Sequence, residues 1–373
     1  MRHDVIELRP AVVLRSVQSR RLQLPHPAFG HLLPRAEEGE TSGASTYPMT
    51  PIPPALLKSI GKPIRRKEDF RLVTGRGQFT DDFSLPGQTY AAIVRSPHPH
   101  ARINGIDKTR ALNMPGVVAV LDGRDVLADG LKPVPHDPLP KTKYDQKLTA
   151  PGGSRDVFIG PHLLLPADKA RHVGEAVAMV VAETLDQALD AAEAVDIDWT
   201  PLPFVTHSRD AERAGAPAVW DEHPENVCVE TWFGDREATE RAFARADHVV
   251  DYEFHIDRVT GVPLEPRAAL ASFDPATGRT TLYAGSGGAV RQKAEIAHVL
   301  GIPAKDMRVL SFDVGGNFGT RNRVYVEFGL VAWASRKLKR PVKFTATRSE
   351  AFLSDYQGRD LDRKSTRLNS SHI

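Results

Sequence analysis

From Ser311 to Arg321 the chain reads Ser-Phe-Asp-Val-Gly-Gly-Asn-Phe-Gly-Thr-Arg. Gly315, Gly316 and Gly319 stand beside Asn317 and Phe318 in this stretch. Glycine has no Cβ and reaches positive φ at little cost, so a ligand can approach the backbone closely. Successive N–H groups in such a turn can face an anion, and a following helix N-terminus favours negative charge. Taken alone, the stretch supports two readings: a ligand-holding loop, or a plain connection between a strand and a helix.

The flanking residues supply that strand and helix. Met307 to Phe312 is a short apolar run that predicts a buried strand. Val324 to Leu338 predicts a helix with aromatic and aliphatic residues on one side. The same order occurs just upstream. Ala269 to Phe273 and Thr280 to Ala284 predict a hairpin around Asp274–Arg279. Ala284-Gly285-Ser286-Gly287-Gly288 then leads into a helix over Val290 to Leu300, stopped by Gly301 and Pro303. Two strand–glycine turn–helix units in succession can face one cleft, which favours a ligand site. Val262-Pro263-Leu264-Glu265-Pro266-Arg267 precedes the hairpin. Its prolines fix the backbone and hold a carboxylate and a guanidinium near each other. A structural ion pair is the preferred reading of Glu265 and Arg267; lining of the cleft is the alternative.

Upstream, Gln88 to Arg95 and Gly116 to Leu121 predict strands. Val173 to Ala182 is nearly all apolar with small residues, as when a strand is covered on both faces. Thr184 is an N-cap candidate with Gln187 as its capping-box partner. Leu185, Ala188, Leu189, Ala192 and Val195 form the expected apolar stripe of the following helix. Val195 to Trp199 alternates as a strand, so residues 68 to about 203 predict one layer of α and β structure. Thr206 to Asn226 is loop-like, Arg236 to Ala246 predicts a helix, and Val249 to Phe254 alternates as a strand. Pro133 to Gly160 predicts a long loop. The charge run Arg65 to Asp69 reads as a solvated face. Asp81 and Asp82 are adjacent, so an extended chain sends them to opposite sides; they read as turn residues. His98 and His100 flank a proline, and a metal there would need further ligands from elsewhere; a rigid polyproline-like loop is preferred.

The 373 residues carry a net charge of +2, with 41% hydrophobic and 26% charged residues, which suits a soluble protein and gives no sign of a nucleic-acid surface as the main partner. The one cysteine, Cys228, rules out an intrachain disulfide and a multi-cysteine cluster; it reads as a buried small apolar residue. No apolar run approaches a membrane span and no secretory signal is visible, so a reducing, cytoplasmic setting is expected. Residues 1–60 lack a sustained period and read as a disordered tail or a mis-called extension before Met49. Asp362 to Ile373 back-translates into a common sequencing-adapter sequence and is expected to be foreign to the fold, which would cut the natural chain at about Leu361.

Five stretches then occur in order: Glu68 to Gly77, Arg95 to Ala101, Val173-Gly174-Glu175, Glu265-Pro266-Arg267, and Asp313 to Gly319. Together they resemble the molybdenum-binding large subunits of the xanthine dehydrogenase/aldehyde oxidase family, most of all the carbon monoxide dehydrogenase large-subunit branch. The resemblance spans about residues 60 to 361. It implies an α+β fold: an α/β hammerhead domain over 68–203, a linker over 204–226, and the first part of a molybdopterin-binding domain over 227–361. It implies that Gly315, Gly316, Asn317, Phe318 and Gly319 approach the cofactor, with Gly287 on the facing turn. Many members carry a glutamine where this chain is aligned with Gly287, and often a glycine where it has Asn317. The implied chemistry is hydroxylation of an aldehyde, an N-heterocycle or carbon monoxide with water as oxygen donor. The general base would be a late glutamate beyond Leu361, so the chain is expected to be inactive as it stands. The implied cofactors are molybdenum and molybdopterin cytosine dinucleotide. FAD and [2Fe-2S] clusters would sit on a medium and a small partner subunit, in a dimer of heterotrimers. A non-catalytic assembly or binding subunit that kept the fold is the alternative, motivated by Gly287 and Asn317.

Overall fold

The computed structural model describes residues 5–7, 61–136, 158–228, 230–232 and 235–369. Most of the expected extension over 1–60, the core of the expected loop over 133–160, and residues 370–373 lie outside them. Two compact units are present, one of residues 14–77 and one of the remainder. The described part of the first carries a short helix, Asp69–Val73, with an exposed pair between Arg66 Nε and Asp69 Oδ1 at 2.9 Å.

A seven-stranded mixed sheet dominates the second unit. Its strands in chain order are β1 (Thr89–Arg95), β2 (Val117–Asp122), β3 (Ala176–Ala182), β4 (Ala268–Asp274), β5 (Arg279–Ala284), β6 (Met307–Leu310) and β7 (Val342–Thr345). Their spatial order is β6-β5-β4-β7-β1-β3-β2. The parallel pairing of β7 with β1, Val342 with Thr89 and Lys343 with Tyr90, joins the two halves of the chain in one sheet. Lys343 Nζ also donates to the Asp81 carbonyl at 2.6 Å, and the Asp81 carboxylate accepts from the Thr345 hydroxyl at 2.6 Å. Asp81 and Asp82 lie in a single 3-10 turn, Thr80–Asp82.

All seven residues of β3 are buried, and they alternate between two cores. Met179 and Val181 join Ala269, Leu282, Phe328, Leu330 and Phe344 on one face. Val180 and Ala182 join small residues under helix α1 (Leu185–Glu193) on the other. The period of two along a strand places them so. Thr184 caps α1, and Gln187 closes the capping box. The expected stripe of α1 is corrected: Ala188 and Ala191 are buried, whereas Leu185 and Leu189 are exposed. Alanines let the helix come close to the sheet, and the larger leucines are left at the rim. The strand after α1, Asp196–Pro201, does not return to the main sheet. It pairs with Ala101–Asp107 in a separate three-stranded sheet completed by Lys169–Ala170.

Two further helices complete the frame. Helix α2 (Ala289–Val299) follows β5 and ends before Gly301, whose φ is +64°. Helix α3 (Val326–Leu338) follows the Ser311–Arg321 stretch, and Glu327 to Ser335 are buried on every side rather than on one. The sheet covers one side; Leu164 packs so tightly on another that a Cβ at Gly329 would lie 2.6 Å from its Cδ2. A strand over His248–Ile256 pairs antiparallel with Leu361–Asn369, but its side chains are mostly exposed, so its alternation marks no buried face. Cys228 is half-buried rather than buried, on a segment whose carbonyl accepts from Phe158 N at 2.9 Å.

Candidate functional site

The two glycine turns begin side by side. β5 and β6 are parallel partners, so their carboxyl ends at Ala284 and Leu310 reach the same edge of the sheet. Ligands of open α/β sheets gather at such edges. Phe312, just past β6, stacks on Tyr283 of β5 with ring centroids 6.3 Å apart, and packs at a tilt against Phe83 at 4.5 Å. The turns are then stitched together. Ser286 N donates to Ser311 Oγ at 3.1 Å, Ser311 Oγ donates to Ser286 O at 3.2 Å, and Gly287 N donates to Arg321 O at 3.1 Å.

Glu265 sits against both turns. Its Oε2 accepts from Gly315 N at 2.7 Å, and its own N–H donates to Gly315 O at 3.2 Å. A Cβ at Gly315 would lie 2.5 Å from Glu265 Cβ, so only glycine lets the chain pass. A Cβ at Gly285 would lie 3.6 Å from both Glu265 carboxylate oxygens and from Thr80 Oγ1. The carboxylate and the Thr80 hydroxyl thus both border Gly285, and Glu265 Oε1 is buried with no hydrogen-bond partner among the described residues. Arg321 Nη2 donates to the Glu265 carbonyl. The rest of that buried guanidinium, Nε and Nη1, has no partner among the described residues. Burial pushes the Arg321 pKa down, against the pull of the Glu265 charge.

The loop itself is held at both ends and open in the middle. φ is +121° at Gly316, +48° at Phe318 and +86° at Gly319. Asn317 Oδ1 accepts from Gly319 N at 2.9 Å, and Asn317 O accepts from Thr320 N at 2.9 Å. The N–H groups of Gly316, Asn317 and Phe318 donate to no other described residue. The Phe318 side chain is 77% exposed. Opposite the loop, a Cβ at Gly287 would lie 1.9 Å from Asn322 Oδ1 and 2.3 Å from Asn317 Nδ2.

Glu265 and Arg267 do not form the expected ion pair. Arg267 is wholly buried and so lines no open face; its Nη2 donates to Glu327 Oε1 at 2.9 Å and its Nη1 to Asp355 Oδ1. Arg95 joins the same cluster, from Nη2 to Glu327 Oε1 at 2.7 Å and from Nε to Glu350 Oε1 at 3.0 Å. Burial alone would raise the Glu327 pKa, but Arg267 and Arg95 outweigh it and hold it at about 2. Arg95 Nη1 also donates to Gly174 O at 3.1 Å, Gly174 N to Ser96 O at 2.8 Å, and Ser96 N to Glu175 O at 2.8 Å. Stretches that are far apart in sequence thus meet in one buried network. Sequence reasoning missed Thr80, Asn322, Glu327 and Asp355, whose roles rest on long-range contacts. His98 and His100 lie apart from these residues, with His100 Nδ1 2.9 Å from Pro203 O. Among the described residues no group of three or more His, Cys, Asp or Glu is placed to hold a metal ion.

Residues 74–203 match the a/b hammerhead domain of aldehyde oxidase and xanthine dehydrogenase, and residues 219–366 match the molybdopterin cofactor-binding domain. The chain belongs to the xanthine dehydrogenase/aldehyde oxidase family of molybdopterin-binding large subunits. It is 34% identical over 304 residues to the nicotine 6-hydroxylase large subunit of Paenarthrobacter nicotinovorans, a match covering 81% of this chain and 35% of the relative. It is 33% identical over 309 residues to the carbon monoxide dehydrogenase large chain of Hydrogenophaga pseudoflava, covering 78% and 36%. The structure of quinoline 2-oxidoreductase from Pseudomonas putida 86 superposes with a TM-score of 0.74 at 31% identity, over 83% of this chain and 37% of that one. The chain therefore spans little more than a third of the length of these relatives.

The site's donor set suits the family's cofactor. A pterin with an attached metal and phosphate presents anionic and acceptor oxygens. Three N–H groups without a partner among the described residues, on a loop with glycine at Gly316, and two nitrogens of Arg321 likewise unpartnered, are the donors such oxygens need. Among the described residues no helix is long and apolar enough to cross a membrane.

Proposed function

We propose that this chain forms the cofactor-holding part of the large subunit of a molybdenum hydroxylase. The observation that carries the reading is the loop Gly315–Gly319, with three N–H groups that donate to no other described residue, beside the buried Arg321 guanidinium, which reaches the Glu265 carbonyl through Nη2 alone. When bound, the molybdenum–pterin group supplies the redox chemistry that places an oxygen from water on a substrate carbon. The chain's own residues do the holding. Gly316, Asn317 and Phe318 would donate backbone N–H groups to the group's oxygens, and Arg321 would supply charge from below. Glu265 fixes Gly315 so that the loop does not collapse onto the sheet. Exposed Phe318 offers an apolar face to the ligand side.

The finer features belong to the same proposal. The cofactor is taken to be the cytosine dinucleotide form, with FAD and [2Fe-2S] clusters on a medium and a small partner subunit, two such heterotrimers forming the complex in the cytoplasm. An aromatic N-heterocycle is the favoured substrate class, since nicotine and quinoline give their names to two of the relatives; an aldehyde and carbon monoxide are its competitors. Because the chain spans about a third of those relatives, turnover is assigned to the whole subunit.

The test is to produce the protein in a host that makes the cofactor, then measure molybdenum by mass spectrometry and pterin by fluorescence after oxidation. Both are expected in the parent. A Gly316→Val variant should lose both while keeping its far-ultraviolet circular dichroism, because φ is +121° there and a Cβ would lie 2.9 Å from Pro263 Cβ. A folded parent that never carries pterin overturns the proposal.

A further inference from the structure

We infer that Asn317, Asn322 and Gly287 form one clamp across the two glycine turns, and that Asn317 is the positioning residue that keeps the loop open toward its ligand. The inference deepens the cofactor reading and rests on it for its purpose, though not for its test. Asn317 Nδ2 donates to Asn322 Oδ1 at 3.1 Å, and Asn317 Oδ1 accepts from Gly319 N at 2.9 Å. Both halves of one carboxamide are therefore used, one within the loop and one across to the following 3-10 turn, Thr320–Asn322. This paired carboxamide lies where a side chain at 287 would begin. Its atoms stand 1.9 and 2.3 Å from an ideal Cβ on Gly287, far inside contact distance. Gly287 N is itself bonded to Arg321 O at 3.1 Å, so the turn cannot back away without breaking that bond.

The consequence is a steric exchange. A larger residue at 287 must displace at least one of the two carboxamides, so glycine at 287 is what lets Asn317 and Asn322 pair across the turns. The bond from Gly319 N to Asn317 Oδ1 takes up an N–H at the loop's end. It also holds the positive φ of Phe318, +48°, a conformation that a side chain rarely adopts unaided. The N–H groups of Gly316 to Phe318 stay unspent as a result. In this chain the loop's shape is set by a side chain and its partner turn, not by glycines alone.

Amide hydrogen exchange of the cofactor-free chain tests the clamp, with Gly319 N–H as reporter. Asn317→Ala removes its acceptor and should speed exchange by about fivefold to tenfold, the weight of one hydrogen bond. Gly287→Ala lies 32 positions away and meets Asn317 only at Nδ2, the half of the carboxamide not in that bond, yet should speed it to a similar degree by driving the carboxamides apart. The double variant should be no faster than either single one. Gly288→Ala is the control, because a Cβ there meets nothing within 4 Å and its φ is −174°. Thermal midpoints should stay near the parent's in all of them, which separates a local clamp from general weakening. Parent-like exchange of Gly319 in Gly287→Ala, or effects of the two substitutions that multiply, overturns the clamp. Coupled exchange in a chain that never takes up pterin overturns the cofactor reading and leaves the clamp standing.

Discussion

Replacing Glu327 by glutamine tests the buried network most directly. One oxygen, Oε1, accepts from Arg267 Nη2 at 2.9 Å and from Arg95 Nη2 at 2.7 Å, and the Arg267 and Glu327 side chains are 0% and 1% exposed. Burial favours the neutral acid; the two guanidinium charges win, and the pKa falls from 4.5 to about 2. The folded state therefore holds the ionised form more tightly than the unfolded state does. That stability is complete above about pH 4.5 and is lost as pH falls toward 2. The shift corresponds to about 3 kcal/mol at about 1.4 kcal/mol per pKa unit. Glutamine keeps the shape and the acceptor but never carries the charge, so Glu327→Gln should lose about 3 kcal/mol at pH 7. In a unit of this size the thermal midpoint should drop by about 5 to 10 °C. Urea titrations of both proteins from pH 7 to pH 2 measure the difference. It should be constant above about pH 5 and shrink below, because the parent loses what the variant never had. A variant within about 1 kcal/mol of the parent at neutral pH, or a difference that does not shrink in acid, would refute the account.

Three other expectations rest on separate elements. Gly174→Ala should cost about 2 to 4 kcal/mol in urea, because φ is +85° and the new Cβ would lie 2.8 Å from Leu353 O. Thr184→Ala removes the acceptor for Gln187 N at the start of α1 and should cost about 1 kcal/mol by the same measurement. His162 is buried against His136, with Nδ1 2.7 Å from His136 Nε2; burial first, then the His136 and His172 charges, lowers its pKa from 6.5 to about 3. The folded state resists a proton that the unfolded state accepts, so stability is full above pH 6.5 and declines as pH falls toward 3. The His162 ring should still show the neutral form by NMR at pH 5; a protonated ring at that pH would contradict its burial.

Local elements were legible because their causes are local. Thr184 and Gln187 announce a capped helix, Gly301 a helix end, and the unbroken apolar run of β3 a strand covered twice. The glycine turns, too, can be read from residue types. What needed the fold were the long-range pairings. The parallel contact of β7 with β1 spans about 250 residues, and no propensity reports it. Glu327 looks like an ordinary charge in the first turn of a helix; only the approach of Arg95 and Arg267 makes its burial tolerable. Leucines outrank alanines in any apolar count, so the sequence pattern of α1 points to a stripe that includes Leu185 and Leu189. The sheet prefers the closer approach that Ala188 and Ala191 permit.

The Glu265-Pro266-Arg267 segment explains why a structural ion pair and a cleft-lining role each describe only part of these two residues. The chain bends at Leu264 and Glu265 instead of running extended, and Pro266 fixes the backbone between the two side chains, which go to different partners. Glu265 takes the start of the glycine loop through Gly315 N, while its carbonyl takes Arg321 at the loop's end. Arg267 takes Glu327, in the first turn of the helix that follows. One rigid tripeptide thus grips the loop before, after and beyond its open middle, and Arg95 with Gly174 ties that grip to the other half of the sheet. Loss of the Arg267 contact frees α3 and with it the far end of the loop. Loss of the Glu265 carboxylate frees Gly315 alone. Glu265→Gln should therefore alter the loop while leaving the acid dependence set by Glu327 as it was, and Arg267→Met should alter both. If the two variants changed the same properties, the segment would be one structural pair after all.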